Sequence, residues 1–225
     1  MRNSIVPNAT ARKALCLAAM LAAASALPYP VHAAPVSGGD TVQGLYDALL
    51  GTMKNGRILG QSGRFTQLEP VIRRTFDIPS MTSLSVGASW AGLSEAQRQQ
   101  LTESFGRYIS AIYADRFDSY AGQKLQVTGE QPNPAGIMVR SQIVKANGEP
   151  VKVDYMMRRN GDGWMMRRNG DGWLISDIYL DGAISEVATR RSEFAAILRT
   201  DGVDGLIAAL NRKADMLTGT TAKSF

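Results

Sequence analysis

The chain has 225 residues, of which 25 are Lys or Arg and 20 are Asp or Glu, and 44% of its residues are hydrophobic. This composition is typical of a folded globular protein and excludes disordered and collagen-like chains. The length is sufficient for one well-buried hydrophobic core.

The first 33 residues have the organisation of a secretory signal peptide. Arg2, Arg12 and Lys13 precede an apolar run over residues 14–27, and a short segment ending in Ala33 supplies the small residues of a cleavage site. The apolar run is too short for a comfortable membrane span. We therefore expect cleavage after Ala33, the alternative being a retained N-terminal anchor.

Cleavage would also remove Cys16 and His32, the one cysteine and the one histidine of the chain. The mature chain would have 192 residues, with 22 basic and 20 acidic side chains. It could form no disulfide, no cysteine nucleophile, no histidine base and no zinc site of the usual type. The near balance of charge also argues against a nucleic-acid partner. We expect no metal and no cofactor.

Helices are predicted in the first half of the mature chain. Asp40 can cap a helix that runs to about Asn55, a shorter helical segment follows at residues 64–75, and a third short element begins at Phe76. The clearest helix begins at Ser94, which has capping-box spacing with Gln97. Its apolar and aromatic residues recur at steps of three and four and form a wide face: Leu101, Phe105, Tyr108, Ile109, Ile112, Tyr113 and Phe117.

The period then changes to two, which predicts strands at residues 125–128, 137–144, 151–155 and 173–180. Residues 131–136 are predicted as a turn, and Asn147-Gly148 is a strong hairpin signal. Helices follow at 184–199 and 203–217, broken at Gly202, and residues 218–225 are expected to fray. This order predicts an α+β fold in a single domain, residues 34–217, with a four-stranded antiparallel sheet covered by the aromatic helix.

A nonapeptide, MMRRNGDGW, occurs twice in tandem, at residues 156–164 and 165–173. Two copies of so short a unit cannot build a solenoid. Inserting nine residues in register would turn every later side chain to the opposite face of the sheet. We therefore expect one copy to lie outside the sheet as a longer hairpin tip. The alternative is an arginine-rich binding loop formed by Arg158, Arg159, Arg167 and Arg168.

The remaining chemistry leaves two classes of protein open. An enzyme would require a carboxylate and a hydroxyl that converge in a cavity, and the candidates are Asp177 or Asp154 with Tyr155. Alternatively, the large apolar residues of the helix and sheet could line a cavity for an apolar ligand. The same residues are also compatible with an ordinary core. The alternation of residues 173–178 does not show which strand face points inward.

From Phe76 onward, an ordered set of landmarks resembles the MlaC/toluene-tolerance family. No single landmark is specific, but their order covers about 135 of the mature residues. The stretch after Asp181 is most similar to the hopanoid-associated, HpnM-like branch. The landmarks are Phe76-Asp77-Ile78, Met81, Trp90, residues 93–98, Phe105, residues 113–117, Tyr120-Ala121-Gly122, Val153-Asp154-Tyr155, residues 172–178, Asp181-Gly182, residues 191–194, residues 197–199, Gly202 and residues 204–207.

This resemblance implies a curved sheet with helices, broadly NTF2-like, around an apolar cavity. It implies a non-enzymatic periplasmic carrier whose ligand is a membrane lipid, either a phospholipid or a hopanoid-type lipid. Its partners would be outer- and inner-membrane lipid-transport complexes, including an ABC transporter that supplies the energy. The enzyme alternative is a small NTF2-like isomerase or hydratase. The duplicated nonapeptide departs from the family pattern.

Combining the helical face with one face of the strands predicts the residues that line the cavity. We expect them to contact lipid by apolar contact alone. The candidates are Phe105, Ile109, Tyr113, Val139, Val153, Tyr155 and Ile175.

Overall fold

A computed structural model describes residues 37–159 and 172–219. Over these ranges helices come first, an antiparallel sheet follows, and a long helix ends the fold, which confirms the α+β class. None of the described helices is both long and apolar enough to cross a membrane. The described helices are α1 (Gly38–Lys54), α2 (Gly56–Thr75), α3 (Ile78–Val86), α4 (Glu95–Arg116) and α5 (Glu186–Thr218), with a 3-10 helix at Gly87–Gly92. The predicted signal peptide, residues 1–33, lies outside the described residues.

The described strands form a single antiparallel sheet in which each strand pairs with the next along the chain. The predicted number of four strands is wrong by one, because Ile184 and Ser185 pair with Leu180 and Tyr179 as a short fifth strand. Two residues show no periodicity, so the sequence pattern assigned them to the following helix. The described strands are β1 (Lys124–Asn133), β2 (Gly136–Val144), β3 (Pro150–Arg159), β4 (Trp173–Leu180) and β5 (Ile184–Ser185).

The two hairpin predictions have different outcomes. The Asn147-Gly148 turn joins β2 to β3, and the Gly148 amide donates to the Lys145 carbonyl at 2.9 Å. The predicted turn at 131–136 is wrong for most of its length, because β1 continues to Asn133, which pairs with Gly136. The prolines in this segment suggested a loop, but β1 is an edge strand, where a residue without an amide hydrogen is tolerated.

Capping side chains set the starts of the helices. At α4, the Gln97 amide donates to Ser94 Oγ at 3.2 Å, and the Ser94 amide donates to Gln97 Oε1 at 3.0 Å, which confirms the predicted capping box. At α1, the cap is Ser37 rather than Asp40. Asp40 is the third helical residue and accepts from the Ser37 amide, so it completes the same type of box.

The structure confirms the predicted helix break at Gly202. Gly202 has φ of 67° inside α5, a conformation that L side chains rarely adopt, and it divides the helix into two segments. The helix continues to Thr218, one residue into the segment expected to fray. Residues 220–225 lie outside the described residues.

The core lies between the helices and one face of the sheet. Val139 pairs with Tyr155, and Tyr155 pairs with Ile178, so these three side chains share a face. The other side of this core is formed by buried residues of α1, α2 and α4, including Tyr46, Ile72 and Phe105. Helices α1, α2, α3 and α5 contact the strands directly, whereas the aromatic face of α4 lies across the cavity from the sheet.

The duplicated nonapeptide enters the sheet from both ends. Residues 156–159 of the first copy extend β3, and Trp173 of the second copy begins β4. Arg159 pairs with Trp173 in the ladder, and its guanidinium lies 5.0 Å from the centre of the indole ring. The predicted hairpin tip, with Arg167 and Arg168, lies outside the described residues.

Candidate functional site

A cavity of about 210 Å³ lies between the helices and the inner face of the sheet. Its lining is mostly apolar and comes from both layers of the fold. The helical side consists of Met81, Phe105, Ile109, Ile112, Tyr113, Phe117 and Val187. The sheet side consists of Ile143, Val151, Val153, Tyr155, Ile178 and Leu180.

Helix α4 supplies one wall because its large apolar residues recur at helical spacing. Phe105, Ile109, Ile112 and Tyr113 lie three or four residues apart, which places them on one face of the helix. Phe76 and Phe117 pack against the ring of Tyr113, each with its ring centre at 5.5 Å. This aromatic packing holds the wall in position beside the cavity.

The strand wall combines ordinary alternation with one irregularity. In β2 and β3, Ile143 lies opposite Val151, and Val153 and Tyr155 follow at period two. In β4 the register shifts, so that Met156 lies opposite Asp177 and Met157 lies opposite Ile175. This bulge brings Ile175 and Ile178 to the same face although they are three residues apart. It answers the question that the alternation of residues 173–178 left open.

Five of the seven predicted residues line this cavity: Phe105, Ile109, Tyr113, Val153 and Tyr155. Val139 and Ile175 lie on the predicted face, but both are completely buried in the core outside the cavity lining. The prediction omitted Ile112 and Phe117, although their spacing places them on the same face of α4 as the predicted residues. Ile178 and Leu180 were not accessible to a period-two pattern, because the bulge changes the phase of β4.

Tyrosine hydroxyls form a polar group beside the apolar lining. The Tyr155 hydroxyl interacts with those of Tyr46 and Tyr113. Tyr46 Oη lies 2.6 Å from Ser141 Oγ, which in turn donates to the Val153 carbonyl. Burial raises the pKa values of the Tyr113 and Tyr155 hydroxyls well above their ordinary range. These hydroxyls therefore remain neutral well above neutral pH.

The charged lining residues lie on the helical side. Arg190 is ion-paired with Glu186 at 3.3 Å and with Glu193 at 2.8 Å. Its guanidinium also lies 5.5 Å from the ring centre of Tyr108. Arg116, in the last turn of α4, is the exposed member of the described lining. The exposed position of Arg116 marks the mouth of the cavity.

The two candidate catalytic aspartates serve the scaffold instead. Asp154 is buried, forms an ion pair with Arg140 and accepts from the Ser141 amide at 3.4 Å. Asp177 accepts from Ser185 Oγ at 2.6 Å and from the Val187 amide at 3.1 Å, at the start of α5. Neither belongs to the cavity lining, so neither meets Tyr155 there as the enzyme alternative requires.

The arrangement is suited to holding an apolar group away from water. Phe105, Tyr155 and Val153 are each less than 10% exposed and form its interior, while charge is confined to the helical side. Burial of apolar surface is favourable without directional chemistry.

A solved structure from Ralstonia solanacearum, described as a phospholipid-binding protein in complex with a phospholipid, has a similar fold. The two chains are 24% identical and superpose with a TM-score of 0.66 over 80% of this chain and 98% of the other. The family model described as MlaC protein matches residues 43–212, which include α4, the sheet and most of α5. The chain therefore belongs to the MlaC family.

Proposed function

We propose that this protein is a non-enzymatic periplasmic carrier that binds a phospholipid or a hopanoid-type lipid. It would move this lipid between outer- and inner-membrane transport complexes, one of which contains an ABC transporter. The observation that carries the proposal is the apolar cavity between α4 and the sheet in a chain of the MlaC family. Proteins of this family are in general periplasmic, and the similar R. solanacearum protein was solved with a phospholipid.

The energetics of lipid transfer explain why such a cavity is useful. Each acyl methylene left in water costs about 0.8 kcal/mol, so a chain of roughly fifteen methylenes costs about 12 kcal/mol. A carrier removes this cost by apolar contact and needs no acid, base or nucleophile. In our proposal, Phe105, Ile109, Tyr113, Val153 and Tyr155 contact the acyl chain. Val139 and Ile175 support the sheet wall from the core.

The cavity volume adds a requirement for binding. Sites that enclose a small organic ligand usually measure about 300–1,000 Å³, whereas this cavity measures about 210 Å³. We infer that a lipid enters only when α4 and α5 move away from the sheet, or that part of the lipid remains outside the mouth. In the second case the part outside the mouth would lie near Arg116.

An enzymatic function has no comparable support. Asp154 and Asp177 are engaged by Arg140 and by the start of α5, and neither lines the cavity. The Tyr46 hydroxyl is hydrogen-bonded with Ser141. Among the described residues, the carboxylate that lines the cavity is Glu186, and it is ion-paired with Arg190.

Native mass spectrometry of the protein purified from the periplasm tests the proposal. We expect co-purified lipid on the wild type and its loss from Ile112→Trp, because the larger side chain fills the cavity from a half-buried position. Val139→Ala is the matched control. It removes apolar contacts from the core outside the cavity, so it should lower the free energy of unfolding by about 2 kcal/mol and retain lipid.

Two outcomes would contradict the proposal. Wild-type protein that carries no lipid, and takes none from vesicles, would exclude the carrier function. Folded Ile112→Trp protein with unchanged lipid would show that this cavity is not the binding site.

A further inference from the structure

Arg116, at the mouth of the cavity, carries a positive charge that is not paired with a carboxylate in the described part of the chain. The charged residues of the cavity lining are Arg116, Glu186 and Arg190, and Glu186 is already ion-paired with Arg190. Among residues 37–159 and 172–219, no carboxylate forms an ion pair with Arg116. Arg116 continues the helical face of Ile109, Ile112 and Tyr113, so it projects from the same side of α4 that lines the cavity.

Arg190, also on the helical side of the cavity, has a hydrogen-bond donor with no partner among the described residues. Arg190 uses Nη1 and Nη2 for Glu193 and Glu186, while its Nε is buried and has no hydrogen-bond partner among the described residues. A buried donor of this kind costs free energy unless an acceptor reaches it. The Arg190 guanidinium packs over Tyr108, which precedes Arg116 by about two turns of α4, so it lies about two helical turns from the mouth that Arg116 marks.

We propose that these two arginines bind the polar backbone of a glycerophospholipid. Arg116 pairs with the phosphate at the mouth, and the Nε–H of Arg190 donates to an ester carbonyl oxygen deeper in the cavity. Guanidinium groups suit phosphate because they present several N–H donors in a fixed plane. The inference rests on the proposed carrier function and narrows it, since a phosphate-free polycyclic lipid would satisfy neither arginine.

The test is competitive loading followed by native mass spectrometry. Mature protein is incubated with equal amounts of dioleoylphosphatidylglycerol and dioleoylglycerol, which share acyl chains and ester groups but differ in the phosphate. We expect the wild type to prefer the phospholipid by about tenfold, the difference that one charged hydrogen bond supplies. Arg116→Gln should reduce this ratio to near one. Arg212→Gln, an exposed cation outside the lining, should leave it unchanged.

Arg190→Lys keeps the charge and removes Nε. Because both lipids have ester carbonyls, we expect lower occupancy by both and an unchanged ratio between them. Diether phosphatidylglycerol lacks the carbonyls, so its occupancy should be the same in wild type and Arg190→Lys. An equal loss of the diether lipid would overturn the carbonyl contact.

Further outcomes separate the two proposals. Wild-type protein that loads both lipids with a ratio near one, or Arg116→Gln with the wild-type ratio, would overturn the phosphate site while leaving the carrier function intact. Failure to load either lipid would overturn both. Excess inorganic phosphate should not change the wild-type ratio. A fall to the Arg116→Gln ratio would assign the site to free phosphate instead of a lipid headgroup.

Discussion

Asp177 shows how one side chain can serve the scaffold of a site without belonging to it. Its carboxylate accepts from Ser185 and from the Val187 amide, and thereby joins β4 to the first turn of α5. A negative charge is also favourable at a helix N-terminus. Val187 and Arg190 of this helix line the cavity, so Asp177 acts on the cavity through the position of α5.

Replacing Asp177 by Asn should therefore lower stability without removing lipid. Loss of the charged hydrogen bonds should cost about 2 kcal/mol, which corresponds to a fall in Tm of about 4–8 °C. Thermal unfolding with native mass spectrometry measures both properties. Asp47→Asn is the control, because Asp47 is exposed on α1 and accepts from Gln43. Loss of lipid from folded Asp177→Asn protein would contradict this assignment.

The buried tyrosines predict a dependence of stability on alkaline pH. Burial raises the pKa values of Tyr46, Tyr113 and Tyr155 in the folded protein, whereas an unfolded chain ionises its tyrosines near pH 10. Above about pH 10 the folded state therefore binds more protons than the unfolded state. Below about pH 10, ionisation of these tyrosines should not change the free energy of unfolding. Above about pH 10, each of them should lower the free energy of unfolding by up to about 1.4 kcal/mol per pH unit.

Urea unfolding of wild type and Tyr155→Phe across this range measures the effect. The variant should lose about 1 kcal/mol at pH 8 from its missing hydrogen bonds and show a shallower fall above pH 10. Identical slopes in the two proteins would mean that Tyr155 ionises normally in the folded state.

At the scale of elements, replacement by alanine should have opposite effects on stability at two glycines, Gly44 in α1 and Gly56 at the start of α2. A Cβ at Gly56 would lie 1.9 Å from the Asp118 carbonyl oxygen, so the backbones of α2 and the segment after α4 would have to separate. Gly44 is exposed within α1, and a Cβ there meets no atom within 4 Å. Chemical unfolding should show Gly44→Ala stabilised by about 0.4–1 kcal/mol. Gly56→Ala should be destabilised, and a stabilised Gly56→Ala protein would refute the close contact.

The β3–β4 connection should tolerate removal of one nonapeptide. Deleting residues 165–173 places Trp164 before Leu174, where it can replace Trp173 beside Arg159, and shortens the connection from residues 160–172 to 160–163. The smaller closure entropy favours the deletion by about 1 kcal/mol. We expect a thermal melt to show an equal or slightly higher Tm, with lipid retained. A decrease of more than about 8 °C, over 2 kcal/mol at this size, would show that both copies are structural.

At the scale of the whole molecule, the N-terminal segment predicts the location of the carrier. The intact mass of protein from the periplasmic fraction should correspond to a first residue of Ala34, because residues 31–33 supply small residues before the cleavage point. Ala33→Trp places a large residue at that point and should leave an uncleaved, membrane-retained product. A full-length wild-type product in the membrane fraction would instead indicate an N-terminal anchor.

Local patterns determined much of this protein. The capping box at Ser94, the helical spacing of Phe105, Ile109 and Tyr113, and the Asn147-Gly148 turn each depend on residues close in sequence. The order of these elements was sufficient to predict the fold class. Together with the alternation of the strands, it was also sufficient to propose five of the residues that line the cavity. The structure also places Val139, Val153 and Tyr155 on one face of the sheet, because β2 and β3 pair without interruption of their register.

Only the tertiary structure decided the rest, because it depends on residues far apart in sequence. The bulge in β4 arises from pairing with β3 and turns Ile178 toward the cavity, which no period-two pattern predicts. The separation of Val139 and Ile175 from the cavity depends on how α1 and α2 pack against the sheet. Likewise, the way the helices dock on the sheet brings Asp177 to the start of α5 and leaves Arg116 without an ion pair among the described residues.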